Sequence, residues 1–238
     1  MSKFYYRFRE YFYKMNWFDS QLGKSLVSFE QKTIEKYLDQ KFGYYALQLG
    51  EHKSNLIKNT KIKHQIVVSG KDKNVDLDSE WLPFGFDSID LTLCLHLFEK
   101  AGDPKKLMDE LFRVTVSGGY IILCGFNPIS FAGLRKTVKF DNFFPWNGDF
   151  ISISKVQKMM KESGFTLRES KLEHYQPMFF DSKSSINDKL EKIGNRWLPL
   201  FGNIYFLVAE KVTVSKIPKK QKWNKLKQRK AVATKSYD

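Results

Sequence analysis

The stretch Ser-Ile-Asp-Leu-Thr-Leu-Cys-Leu at residues 88–95 decides the fold. Its first half alternates apolar and polar residues and its second half is almost continuously apolar, which is typical of a strand covered on both faces of a sheet. Asp103-Pro104 then supplies the capping residue and the N1 proline of a helix. A buried strand followed closely by a helix is the start of a crossover unit, so the stretch predicts an α/β protein.

Similar patterns continue on both sides of this stretch. Apolar residues at helical spacing predict a helix over 21–40. Gly118-Gly119 is expected to end the helix that follows residue 103. The remaining expected elements are strands at 44–49, 65–68, 75–78 and 120–126, a short helix near Leu56 and Ile57, a helix capped by Ser154, and late strands at 166–175 and 203–211. Because no clear helix connects the two late strands, they are expected to pair antiparallel at one edge of a parallel sheet.

Composition predicts one soluble domain with appendages. The 238 residues are 42% hydrophobic, and no run approaches the roughly 20 apolar residues of a membrane-spanning helix. We expect a helical cap over 1–40, an α/β domain over 41–211 and a basic flexible tail over 212–238. No secretory signal is recognisable, so the expected location is cytoplasmic. Cys94 and Cys124 form no Cys/His cluster in the sequence, and no metal is expected.

Both ends of the chain suggest surface contacts without specifying them. Residues 211–238 carry a net charge of +9 out of a total of +14, which favours contact with nucleic acid or an anionic membrane, or simply a solvated tail. The first eighteen residues contain nine aromatic residues. This aromatic stretch is interpreted as a lid on the domain, with a membrane-surface anchor and a partner contact as alternatives.

Five ordered landmarks carry a family resemblance. They are Asp78 four residues before Leu82-Pro83-Phe84, Asp90 at the start of the strand that begins near residue 88, His96 near its end, Arg113-Val114, and Gly118-Gly119. In this order they resemble the type 11 group of class I methyltransferases that use S-adenosylmethionine (SAM). Gly125-Phe126-Asn127-Pro128 and Pro145-Trp146 are similar to motifs of a bacterial branch of that group.

The resemblance implies a Rossmann-like fold with a mostly parallel seven-stranded sheet, an antiparallel edge and helices on both faces. It implies SAM as the cofactor and a methyl acceptor that is a small molecule or RNA. The residues implied in cofactor binding are Gly50, Ser69, Asp78, Trp81, Leu82 and Leu95. Gly50 would let the chain turn close to the methionine part of the cofactor, and Asp78 would bind the adenine amino group. A single glycine stands where the group has Gly-x-Gly-x-Gly, and Ser69-Gly70 replaces the usual acid after the second strand.

The implied catalytic residues are His96, near the sulfonium, and Asn127, on the acceptor side. Each has a structural alternative: His96 as a core histidine satisfied by a backbone carbonyl, and Asn127 as part of a turn. The sequence therefore predicts a SAM-dependent methyltransferase with an unidentified acceptor. The alternative is a catalytically inactive relative that acts as a nucleic-acid-binding or assembly module through its basic tail, with a peripheral place at the membrane.

Overall fold

The computed structural model describes residues 17–50, 54–69, 81–138, 145, 147–175 and 199–213. The helices in these ranges are α1 (Gln21–Leu38), α2 (Pro104–Val114), α3 (Phe131–Val138) and α4 (Ile153–Ser163), with short 3-10 turns at Trp17–Asp19 and Pro199–Phe201. The strands are β1 (Tyr45–Gly50), β2 (His64–Ser69), β3 (Ile89–Leu95), β4 (Thr115–Phe126), β5 (Phe165–Glu173) and β6 (Ile204–Lys211).

The described strands form one mixed sheet in the order β2-β1-β3-β4-β6-β5. The first four strands in this order pair in parallel, whereas β6 pairs antiparallel with both β4 and β5. The predicted α/β class and the antiparallel pairing of the two late strands are therefore confirmed. The expected strand at 75–78 lies outside the described residues, so six strands of the expected seven are seen in this part of the chain.

Helices pack on both faces of the sheet because the central strands carry apolar side chains on both sides. On one face, Leu26 and Ile34 of α1 pack with Leu93 of β3. On the other face, Leu111 of α2 and Met160 of α4 belong to a second buried cluster that includes alternate residues of the same strands. Burial on two faces explains the continuous apolar runs of β3 and β4. The cap predicted at 1–40 thus contributes, through α1, to the core of the sheet.

The boundary between α2 and β4 differs from the prediction. Gly118-Gly119 does not end the helix: α2 ends at Val114, and β4 already begins at Thr115, where a strand over 120–126 was expected. Gly118 has a φ of 79°, and the pairing of β4 with β3 shifts register between Ile89 and Leu91. The two glycines therefore accommodate an irregularity within the strand, because glycine adopts positive φ without a steric penalty.

Two smaller expectations were also wrong. The N-cap of α4 is Ser152 rather than Ser154, since the Ser152 hydroxyl accepts a hydrogen bond from the backbone N–H of Lys155. Leu56 and Ile57 lie in a turn instead of a helix. Gly164 ends α4 in the left-handed conformation. None of the helices in the described ranges has the length and apolar character needed to cross a membrane.

Candidate active site

Three of the predicted cofactor residues lie side by side at the carboxyl ends of β1, β2 and β3. Gly50 is in register with Ser69 of β2 and with Leu95 of β3. A Cβ atom on Gly50 would lie 2.6 Å from the carbonyl oxygen of Leu95 and 2.8 Å from its Cβ. Glycine is therefore required here because β1 and β3 approach closely at residue 50. The carboxyl ends of parallel strands are where this fold class binds ligands.

A buried glutamine shapes the segment that follows β1. The side-chain amide of Gln48 donates to the carbonyl of Ser54 over 2.7 Å, and its oxygen accepts from the N–H of Leu56 over 2.8 Å. Residues 51–53, between this anchor and Gly50, lie outside the described residues. Gln48 thus fixes the backbone at Ser54 and Leu56, shortly after the carboxyl end of β1.

The backbone at Leu82 and Phe84 is held by two side chains of α2. Glu110 accepts the N–H of Leu82 over 2.9 Å, while Arg113 donates to the carbonyls of Leu82 and Phe84. Leu82 is buried, whereas Trp81 is 73% exposed. Asp78 lies outside the described residues. The Arg113 landmark of the sequence therefore anchors this loop.

The electrostatics of this anchor are those of an ion pair. Glu110 and Arg113 lie 2.6 Å apart on successive turns of α2. Burial acts to raise the pKa of the Glu110 carboxyl, but the hydrogen bonds from Arg113 and the Leu82 N–H outweigh burial and lower it. Glu110 is therefore ionised at neutral pH and keeps both hydrogen bonds to the loop.

His96 follows β3 directly and is completely buried. Its backbone has a φ of 53°, and its N–H donates to the carbonyl of Cys124 on β4. The imidazole Nε2 lies 2.6 Å from Oε1 of Glu30, and Nδ1 lies 3.4 Å from Oε1 of Glu99. Phe126 stacks on the ring with centroids 4.2 Å apart. The partners of the imidazole are thus two carboxylates and not the backbone carbonyl that the structural alternative predicted.

These carboxylates determine the charge of the ring. Burial alone would lower the pKa of His96, but Glu30 and then Glu99 outweigh it and raise the pKa to about 10. Burial and the neighbouring Glu30 raise the pKa of the Cys124 thiol well above its usual value. A ring that is already protonated cannot accept a proton from an acceptor. The protonated ring therefore suits a role in positioning the neighbouring carboxylates better than a role as a general base.

Asn127 follows β4 and uses its whole side chain to hold the backbone. Its amide nitrogen is 2.9 Å from the carbonyl oxygens of Ile129 and Leu200 and 3.0 Å from that of Gly202, and its oxygen accepts from the N–H of Ile129. These contacts join the segment after β4 to the segment before β6. Asn127 is buried and shapes the wall predicted to face the acceptor, which is the role of the turn alternative.

Asp90 lies at the opposite end of the sheet. Its carboxylate accepts the N–H groups of Tyr44 and Tyr45, each over 2.9 Å. It therefore fixes the entry of the chain into β1, far along the strand from the predicted cofactor residues.

Four residues that shape these sites were not predicted from the sequence: Gln48, Glu110, Glu30 and Glu99. Only Glu30 left a visible signal, since it is an acid on the apolar face of α1, one turn after Leu26 and one turn before Ile34. A buried acid at such a position requires a partner, but the sequence does not name that partner.

Part of the chain matches a known protein family, and most of the chain matches one bacterial protein. Residues 37–123, which span β1, β2, β3 and most of β4, match the type 11 family model of the methyltransferase domain. The uncharacterized protein YafS of Escherichia coli K12 is 28% identical over 222 residues, covering 91% of this chain and 89% of that protein.

Two solved structures share the fold at lower sequence identity. A Haloferax volcanii chain solved in complex with the Trm112 methyltransferase activator has a TM-score of 0.58 at 13% identity, covering 83% of this chain and 96% of that chain. A SAM-dependent methyltransferase of Thermotoga maritima has a TM-score of 0.54 at 18% identity, covering 76% of this chain and 87% of that chain.

Proposed function

We propose that the chain is a class I SAM-dependent methyltransferase, whose type 11 family model matches residues 37–123, and that it transfers the methyl group to a small acceptor with an apolar part. SAM would bind at the carboxyl ends of β1, β2 and β3. The observation that supports this assignment is the register of Gly50 with Ser69 and Leu95, because it brings the carboxyl ends of three parallel strands together at the edge where this fold class binds ligands.

The residues at these strand ends fit the cofactor. Gly50 and Leu95 would hold its methionine part and Ser69 its ribose, while Trp81 offers an exposed aromatic ring to the adenine. Asp78, whose position is outside the described residues, is proposed as the partner of the adenine amino group. When bound, the sulfonium supplies an activated methyl group, so the protein need only bind, align and shield the reactants.

The acceptor side is proposed to lie beyond β4. The Asn127 side chain brings the backbones of Ile129 and Leu200 to one amide nitrogen, and both side chains are exposed, as are those of Leu134 and Phe201. An exposed apolar surface next to a fixed turn suits an acceptor with an aromatic or aliphatic part. His96 would position this region through its contact with Glu30 of α1. Asn127 would do so through its hydrogen bonds to the backbone of Ile129 and Leu200.

Calorimetric titration with SAM and with its demethylated product tests the cofactor site. We expect micromolar binding to the wild-type chain and a loss of at least about tenfold in Gly50→Ala, because the added Cβ displaces the end of β3. Gly85→Ala is the matched control, since a Cβ at residue 85 meets nothing within 4 Å. The absence of binding at millimolar ligand would overturn the proposal.

The acceptor class is tested separately with SAM labelled in its methyl group. The enzyme is incubated with a cell extract that has been divided into small-molecule, RNA and protein fractions. Label in an extractable small molecule supports the proposal, whereas label in RNA or protein would overturn the acceptor class and leave the cofactor site intact.

A further inference from the structure

Three metal-ligating side chains from distant parts of the chain meet beneath α1. They are Glu30 of α1, His96 after β3 and Cys124 of β4, whose donor atoms all lie within 4.8 Å of one another. All three are buried, and so is the ring of Phe126 that stacks on His96. We propose that these residues bind one Zn²⁺ ion, although the sequence predicts no metal.

The donor set suits zinc. Zn²⁺ is bound in proteins by imidazole nitrogen, thiolate sulfur and carboxylate oxygen, and this cluster offers one of each. A thiolate and an imidazole together favour zinc over the hard cations Mg²⁺ and Ca²⁺, which take oxygen ligands. On binding, the ion takes the place of the thiol proton of Cys124 and of any proton between His96 and Glu30, and these protons pass to solvent.

The distances between the donor atoms are close to those of a tetrahedral zinc site. Sγ of Cys124 lies 3.4 Å from Oε1 of Glu30 and 3.9 Å from Nε2 of His96. Metal–ligand bonds of about 2.0–2.3 Å at tetrahedral angles place such atoms about 3.4–3.7 Å apart. The pair that must separate is Nε2 and Oε1, now 2.6 Å apart, and a movement of less than about 1 Å in the Glu30 side chain achieves it.

A second carboxylate orients the imidazole. Oε1 of Glu99 lies 3.4 Å from Nδ1 of His96 and is itself held by the N–H of Phe126 over 2.7 Å. Histidine ligands of zinc usually donate their second ring nitrogen to a carboxylate in this way, which directs the other nitrogen to the metal.

With three protein ligands, a zinc ion would take its fourth ligand from outside this cluster. Three-ligand zinc sites in proteins leave one position to water or to a substrate atom. The cluster lies at the carboxyl ends of β3 and β4, beside the turn of Asn127 that faces the proposed acceptor. Zinc binding itself, however, does not depend on the proposed function, and it is tested without SAM or acceptor.

The test uses full-length protein without a histidine tag. Its zinc content is measured by mass spectrometry of the elements, and the chelator-treated protein is then titrated with Zn²⁺ and with Co²⁺. We expect one equivalent of either ion, and for Co²⁺ a thiolate-to-metal charge-transfer band in the near ultraviolet together with visible bands of tetrahedral intensity.

Two buried cysteines on neighbouring strands provide a matched pair of variants. Cys124→Ser should lose the charge-transfer band, whereas Cys94→Ser should keep it, because Cys94 faces the opposite side of the sheet from the cluster. Glu99→Gln should weaken Zn²⁺ binding about 10- to 100-fold without changing the band. Circular dichroism of each variant establishes that it is folded.

Three results would overturn the proposal. One is wild-type protein that binds neither ion stoichiometrically, which would leave the cluster as a metal-free ion pair. Another is a band that survives in Cys124→Ser or disappears equally in Cys94→Ser. If Cys124→Ser does not fold, Glu30→Gln replaces it, and an unchanged affinity for Zn²⁺ in that variant would be equally decisive.

Discussion

Two histidines of the described residues, His96 and His174, are both buried and both have a left-handed backbone, but they differ in their partners. Both have positive φ, 53° and 64°, and both are 5% exposed or less. His96 lies between the carboxylates of Glu30 and Glu99, which outweigh burial and raise its pKa to about 10. His174 is next to the Asn203 side chain, 3.2 Å from Nδ1, and burial lowers its pKa to about 4 against a smaller opposing effect of Glu30.

The difference shows that burial alone does not decide the charge of an imidazole. Burial acts in the same direction on both rings, towards the neutral form. A carboxylate in direct contact reverses the effect of burial on the imidazole pKa, whereas the amide of Asn203 does not. The ring at the carboxyl end of β3 is therefore charged in the metal-free protein, and the ring at the sheet edge is neutral.

Removing Glu30 should have the largest effect on this comparison. In Glu30→Ala the ring of His96 loses a buried charged partner, and we expect the free energy of unfolding to fall by about 3–5 kcal/mol. Chemical denaturation in the presence of a chelator measures the loss without a contribution from metal. Lys36→Ala, at an exposed position of the same helix, should change the stability little, and a similar loss in both variants would contradict the prediction.

The second largest effect expected is the loss of folding stability in acid that results from protonation of His174. The folded pKa is lowered, so its contribution to stability is present above the unfolded pKa of 6.5 and is lost as the pH falls towards about 4. In this window the unfolded chain binds a proton that the folded chain does not. The loss should be on the order of 3 kcal/mol, measured by denaturation at successive pH values.

His174→Asn removes this titration and suits the left-handed backbone, since asparagine tolerates positive φ. The variant should therefore lose less stability than the wild-type chain between pH 6.5 and 4. Identical pH profiles of the two proteins would show that other groups, Glu30 among them, control acid unfolding.

Asn203→Asp should make His174 resemble His96. In the wild-type chain the Asn203 side-chain oxygen accepts the N–H of Ala132. The aspartate keeps this oxygen and places its second carboxylate oxygen beside Nδ1 of His174. The pKa of His174 should rise by about one to three units, as followed by proton NMR of the imidazole. Asn147→Asp, on an exposed loop, is the control. A pKa that stays near 4 in Asn203→Asp would mean that burial outweighs even a carboxylate in contact.

Much of the fold was predictable because it depends on local patterns. The run over 88–95 predicted β3, and Asp103-Pro104 predicted the start of α2 correctly. The missing crossover before β6 predicted the antiparallel edge. Gly118-Gly119 misled because the same two residues suit a helix end and an irregular strand, and only the pairing of β4 with β3 decides between them.

The candidate site was predictable only where strand order determines it. Gly50, Ser69 and Leu95 meet because parallel strands end at the same edge of a sheet. The contacts of His96 were not predictable, since Glu30 is 66 residues away in the sequence. The helical periodicity of α1 predicts which face is apolar but not where the helix lies on the sheet. Cys124 showed no metal signal for the same reason: its neighbours come from two other elements.

The ion pair between Glu30 and His96 also bears on how such enzymes can diversify. The helix before β1 and the turn after β3 each contribute one half of a buried charge pair. Exchange of the N-terminal segment for an unrelated one would leave the imidazole without its carboxylate, so the new segment would have to bring an acid to the same place or arrive with a substitution of His96. In this protein the cap and the strand ends therefore depend on each other, whereas the exposed side chains of Ile129 and Leu200 take no part in this pair.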